Sequence, residues 1–183
     1  MPPKSKYTKE EIAKEALEII REQGYDSLNA RSLASRLGIS TMPLFHSYEN
    51  MDEIKKAATE MGLAKYNKYM EDARSSPEPF KSVGQAYIKF ACDEPELFRM
   101  FFMSPTSKIE GLSDIDPNTA PTVDIASQIL DGNRDAGGQL LFEMWIFVHG
   151  IATLAVTGKK KFTEEERNEI TSSVFRRLKG GIQ

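Results

Sequence analysis

Apolar residues recur along nearly the whole chain at three- and four-residue intervals, and no stretch sustains a period of two. That pattern predicts an all-α fold of about nine helices. Thr8 and Glu11 form a capping box ahead of Ile12, Ala16, Ile19 and Ile20, and Gly24 ends the run. Leu33, Ala34 and Leu37 make a second, shorter stripe that Gly38 breaks, and Ile39 tucks the connection into a core. Ser40 then reads as the N-cap of a short third helix over residues 41 to about 47, with Leu44 and Tyr48 on one face. Pro43 falls at its third position, where a missing N–H breaks no intrahelical bond, so Ser40 is expected to satisfy the Met42 N–H.

Asn50 and Glu53 repeat the capping pattern and open a long helix over residues 51–73, with apolar positions Ile54, Ala58, Met61, Ala64 and Met70. A loop at 75–79 precedes a fifth helix bearing Phe80, Val83, Tyr87 and Ala91 on one face, and Pro95 starts a short, very apolar sixth. Residues 104–121 carry three prolines and a glycine and are the longest irregular segment. A seventh helix over 120–130 ends at Asp131-Gly132-Asn133; an eighth over 136–157 has Gly158 at C′. Thr163 and Glu166 cap a last helix carrying Ile170, Val174, Phe175 and Leu178.

Two short helices around Gly38, closed by the first helix, have the spacing of a helix-turn-helix whose second element lies in the DNA major groove. Two helices around a glycine also occur as plain packing in all-α domains. The expected division is a helix-turn-helix domain over 1–50 and a larger helical domain over 51–183. Lys4, Lys6 and Lys9 form a loose basic arm, suited to phosphates or simply to solvent.

Composition changes this picture little. The net charge of −3 does not exclude a locally basic face. The one cysteine, Cys92, excludes an internal disulfide, argues against a cysteine-rich metal site, and is expected in the core. The N-terminus has no apolar signal segment. The apolar run 140–156 nearly suffices to span a bilayer, but Glu143 and His149 interrupt it, so a helix buried in a bundle is expected. The expected setting is cytoplasmic, with no membrane partner.

The residues Gly24, Tyr25, Arg31, Leu33, Ala34, Gly38, Ile39, Ser40, Leu44 and Tyr48 resemble the N-terminal domain of the tetracycline-repressor family. The segment from Asp93 to Phe102, with Trp145, His149 and Gly150, resembles the ligand-binding domain of a subgroup carrying Trp-x-x-x-His-Gly. The resemblance implies a homodimer whose last two helices form a four-helix interface. It also implies a palindromic double-stranded DNA operator and a small apolar or amphipathic effector, with no cofactor. This chain departs from the family at Phe45, where tyrosine is usual, at Ser47, where histidine is usual, and near Met51, where lysine is usual. The lost phosphate partners should weaken sequence-independent affinity.

Arg31 and Ser32 open the second helix; Ser40, Thr41, Met42 and Pro43 stand at the N-terminal turn of the third. With Phe45, His46, Ser47, Tyr48 and Lys55 they are the expected DNA contacts. Met42 and Pro43 offer no side-chain donor, so specificity is expected from Thr41, thymine methyl contacts and DNA shape. Trp145 and His149 share a helix face, and with Tyr87, Phe90, Phe98, Phe101, Phe102 and Phe142 they form the expected ligand cavity. Aromatic residues at this spacing also serve as plain core. No nucleophile stands at a recognisable spacing from His149, so an enzyme is not expected. A family member that binds ligand or protein without reading DNA is the remaining alternative.

Overall fold

The capping box at Thr8 forms in both directions: its hydroxyl accepts from Glu11 N (3.1 Å) and the Glu11 carboxylate accepts from Thr8 N (2.7 Å). It opens α1 (Lys9–Gln23) in the computed structural model, which describes residues 7–104, 116 and 118–182. A 3₁₀ turn (Tyr25–Ser27) leads to α2 (Ala30–Leu37), capped reciprocally by Asn29 and Ser32. Gly38 then takes the left-handed conformation (φ 64°) that lets the chain turn back at little strain.

After α3 (Leu44–Ser47) comes the long α4 (Met51–Arg74). Only half of the capping box expected there is present. The Asn50 side chain accepts from Glu53 N, whereas the Glu53 carboxylate accepts from Glu49 N (3.0 Å). The remaining helices are α5 (Pro79–Asp93), α6 (Pro95–Phe102), α7 (Thr119–Ile129), α8 (Arg134–Val156) and α9 (Glu164–Gly181). The described residues therefore form nine α-helices and no strand, the all-α class expected. Lys4, Lys6 and most of segment 104–121 lie outside the described residues.

Helix α4 joins the two ends of the molecule. It packs on α1 and on α5, while α6 reaches α1, α5 and α8. Its buried line runs Ile54, Ala58, Gly62, Tyr66 and Met70, a strict four-residue register. Ala64, expected on that line, is exposed. At the other end α8 lies against α5, α7 and α9. Helices α7 and α8 meet backbone to backbone at Gly137, where a Cβ would stand 2.7 Å from Ser127 N.

Two expectations are corrected. Cys92 is exposed at the end of α5 because the buried face of that helix runs through Tyr87, Ile88, Phe90 and Ala91. Helix α8 is buried along one side only. Phe142, Ile146 and Leu154, at 40%, 52% and 43% exposure, stand on the opposite side with exposed Gly150 between them.

Candidate functional site

Leu44 is fully buried, and the Tyr48 hydroxyl donates to Lys9 O (2.8 Å), so the turn before α3 is pinned to α1. Ser40, Thr41, Met42, Phe45 and His46 are left exposed, Met42 at 70%. Pro43 and Ser47 are half-buried beside them. Arg31 is exposed and forms no ion pair among the described residues. Lys55 sits at the start of α4 with its ammonium 4.9 Å from the centre of the Tyr25 ring. This surface thus brings together most of the residues expected to face DNA.

Three details differ from expectation. Residues 41–46 enter α3 through bonds to the third residue back: Leu44 N to Thr41 O, Phe45 N to Met42 O and His46 N to Pro43 O, at 3.1–3.3 Å. The regular helix starts only at Leu44, and Ser40 is too far ahead to cap it. Tyr48 is an anchor rather than a contact surface, its ring buried and its hydroxyl held by the main chain. The Ser32 hydroxyl is likewise occupied, donating to Ser27 O (2.8 Å) while it closes the cap of α2.

Charge is less favourable than position. Between residues 7 and 50 the chain has five Lys and Arg against seven Asp and Glu. Arg36 is held by Glu15 (2.7 Å) and Glu22 (2.8 Å). Arg21 is held by Glu18 and Glu94, both at 2.7 Å. Arg31 and Lys55 therefore carry much of the free positive charge that phosphates could use.

The second candidate site is a cavity of about 50 Å³ enclosed by α4, α5, α7 and α8. Met70, Phe80, Leu141, Met144 and Val148 give it apolar walls, and Tyr87 and Trp145 line it as expected. His149 stands behind them. Its Nδ1 lies 2.9 Å from the Tyr87 hydroxyl, and its ring stacks on Trp145 at 4.9 Å. Burial lowers the His149 pKa, which favours the neutral imidazole.

The other expected aromatics do not line the space. Phe90, Phe98 and Phe102 form the packed ring cluster behind it, around Tyr66 and Tyr87. Phe101 turns toward Gly62 on α4. Phe142 faces outward because the buried side of α8 is set by Leu140, Met144 and Val148.

Spacing gave no sign of the cavity's polar end, formed by Asp116, Asn118, Thr119 and Thr122. The Tyr66 hydroxyl donates to Asp116 Oδ2, Asn118 N to Asp116 Oδ1 (2.6 Å), and Arg74 Nη1 to Asn118 Oδ1 (2.8 Å). Burial pushes the Asp116 carboxyl above its ordinary range, outweighing the hydrogen bonds from Tyr66 and Asn118. Burial first, then the Asp116 charge, pushes the Tyr87 phenol well up; the nearby Trp145 indole pulls slightly the other way. That indole N–H has no hydrogen bond of regular geometry and is buried. Among the described residues no group of three His, Cys, Asp or Glu comes together as a metal site.

The nine helices of the described residues, with a short exposed turn held by α1 and an aromatic cavity in the helices beyond, have the architecture of a helical transcription regulator. Comparison gives the family: residues 80–178 match the tetracyclin repressor-like C-terminal domain, and the chain belongs to that family. An uncharacterised HTH-type transcriptional regulator of Mycobacterium tuberculosis is 22% identical over 98% of this chain and 83% of its own length. A solved structure from Rhodococcus sp. RHA1, of a protein with unknown function, superposes with a TM-score of 0.67 at 18% identity, covering 100% of this chain and 99% of the other. A Clostridium perfringens protein described as a fatty acid metabolism regulator gives a TM-score of 0.57 at 14% identity, covering 94% and 98%. The two solved structures speak to the fold. The chain is a transcription regulator of the tetracyclin repressor-like family.

Proposed function

We propose that this protein is a cytoplasmic, dimeric, ligand-responsive repressor that reads a palindromic operator through residues 1–50 and binds its effector and its mate through residues 51–183. One observation carries the reading: Thr41, Met42, Phe45 and His46 are exposed together on a turn that buried Leu44 and Tyr48 fix in place. A segment packed away from solvent could not enter a groove. Arg31 and Thr41 supply polar contacts, while Met42 and Phe45 suit thymine methyl groups.

Dimerisation is supported by the stripe Phe142, Ile146 and Leu154, whose four- and eight-residue spacing keeps them on one side of α8. Exposed apolar surface of that continuity favours burial against a second copy. Two reading turns then address successive major grooves about 34–36 Å apart.

The effector site is the cavity beside Trp145. At about 50 Å³ it is far below the roughly 300–1,000 Å³ of occupied ligand sites. Flexible Met70 and Met144 in its walls would move aside on binding. A near-complete switch needs the effector to favour one conformation by about 5.5 kcal/mol.

The test is binding to the DNA upstream of the protein's own gene, measured across salt concentration. A saturable palindromic site with a steep salt dependence is expected. The absence of any such site would favour a module that binds ligand or protein without reading DNA. That second reading draws on the acidic balance of residues 7–50 and on the single regular turn of α3.

A further inference from the structure

A groove of about 560 Å³ runs outside the cavity, between the start of α5 and helices α7, α8 and α9. Its floor is apolar, built from Phe80, Ile125, Ile129, Met144, Val148 and Phe175. Its rim is not. Lys81, Arg176 and Lys179 stand there with Glu78 as the one acid among the described residues, and Glu78 pairs with Lys81 at 3.0 Å. Arg176 and Lys179, three residues apart on α9, are exposed and form no ion pair among the described residues. Two uncompensated cations beside an apolar trough, on a chain of net charge −3, are a local reversal of the protein's balance.

The groove and the cavity share a wall. Phe80, Gly84, Met144 and Val148 line both spaces. Gly84 contributes no side chain, and a Cβ there would lie in ordinary contact, 3.6 Å from Val148 Cγ1. Rotation of the Phe80 ring and the unbranched Met144 would join the two spaces. Such a channel would have cations at its mouth, an apolar middle and the polar group of Asp116 and Asn118 at its inner end.

We propose that this channel takes a single-chain amphipathic anion, its head on Arg176 and Lys179 and its tail passing between Phe80 and Met144 to Trp145. The inference rests on the reading of the cavity as the effector site and supplies the chemical class of the effector. Charge-assisted contacts to Arg176 and Lys179 fix the head. The apolar floor then rewards each methylene removed from water. A cationic amphiphile would meet the same rim with repulsion.

Trp145, the only tryptophan, reports on the inner end of the channel. The experiment titrates the full-length protein, without DNA, with decanoate, 1-decanol and decyltrimethylammonium at neutral pH, below micelle formation, and follows indole emission. Decanoate should saturate and bind roughly tenfold more tightly than either comparator, the scale of a charge-assisted contact. The surface variant Arg176→Gln/Lys179→Gln should bring decanoate down to the affinity of decanol. Charge reversal, Arg176→Glu/Lys179→Glu, should make the cation the better ligand, with cooperative thermal unfolding confirming that each variant is folded.

Equal affinities for the three probes, no saturable response to decanoate, or an unchanged decanoate affinity in the double variant would overturn the proposal. So would a double variant that shifts only the sedimentation of the protein, since the rim would then belong to self-association. Because no DNA is present, a failure to find an operator leaves this result standing. Conversely, decanoate that binds here without altering operator affinity would count against ligand response and not against the channel.

Discussion

Arg21 on α1 and Glu94 at the junction of α5 and α6 face each other through two parallel N–H···O bonds, Nε to Oε2 and Nη2 to Oε1, both 2.7 Å. Lys65 of α4 adds a third contact at 3.1 Å to the same carboxylate, whose side chain is 6% exposed. One acid therefore ties α1, to which the exposed turn before α3 is pinned, to α4 and to the junction of α5 and α6. Burial pushes the Glu94 pKa up, but the hydrogen bonds and charges of Arg21 and Lys65 outweigh it and hold the carboxyl below its usual range. The fork geometry makes the pair directional, so it can register a small shift of α6 against α1.

Replacing this acid by its amide, Glu94→Gln, should lower unfolding free energy by about 1–3 kcal/mol, since Arg21 and Lys65 lose their shared counter-charge. The sign of the pH effect follows from the lowered folded pKa. The contribution is complete above the ordinary carboxylate value and is lost as pH falls through the folded one. Urea unfolding across acidic pH should show a steep loss of stability in the wild type and a flatter one in Glu94→Gln. In operator binding, the variant should respond less to effector than the wild type.

His149 should contribute a separate step at higher pH. Burial lowers its pKa, so the neutral ring is favoured in the folded state and the unfolded chain takes up the proton first. Stability should therefore begin to fall as pH drops below about 6.5, the free imidazole value. His149→Phe should abolish that step in a urea series. Tyr87→Phe should retain it while costing about 1 kcal/mol for the lost hydroxyl contact.

Gly137→Ala should destabilise the fold by about 1–3 kcal/mol, because α7 and α8 must separate to admit the methyl group. Thermal unfolding would show it as a lower Tm with an unchanged helical spectrum.

Ile146→Glu tests the proposed mating surface. A carboxylate in the middle of the stripe formed by Phe142, Ile146 and Leu154 should leave a folded monomer in sedimentation and weaken operator binding. A variant that remains as fully associated as the wild type would place the interface elsewhere.

The helices were legible because amphipathic spacing and caps are local. Thr8 with Glu11 and Thr163 with Glu166 form both bonds of the expected boxes. Asn29 with Ser32 does the same with serine where glutamate or glutamine is the usual signal, so the sequence pattern does not mark that cap. On α4 the register set by Ile54 and Ala58 continues through Gly62 and Tyr66, two residues that a search for aliphatic positions passes over. Tyr87 and Trp145 were recoverable as cavity walls, since aromatic side chains on facing helices converge. Phe142 and Cys92 were not, because spacing does not say which side of a helix its neighbours will cover. The polar end of the cavity joins Tyr66 to Asp116, fifty residues apart, and no local pattern encodes that pairing.

The central claim is that the exposed turn around Thr41 reads DNA sequence. The most direct measurement is the affinity of wild type, Arg31→Ala and Thr41→Ala for the upstream operator and for random duplex of equal length, at several salt concentrations. The account predicts that Thr41→Ala weakens the operator by about 1–3 kcal/mol while sparing random DNA, and that Arg31→Ala also reduces the salt slope by about one. Specific binding left intact in both variants would contradict it.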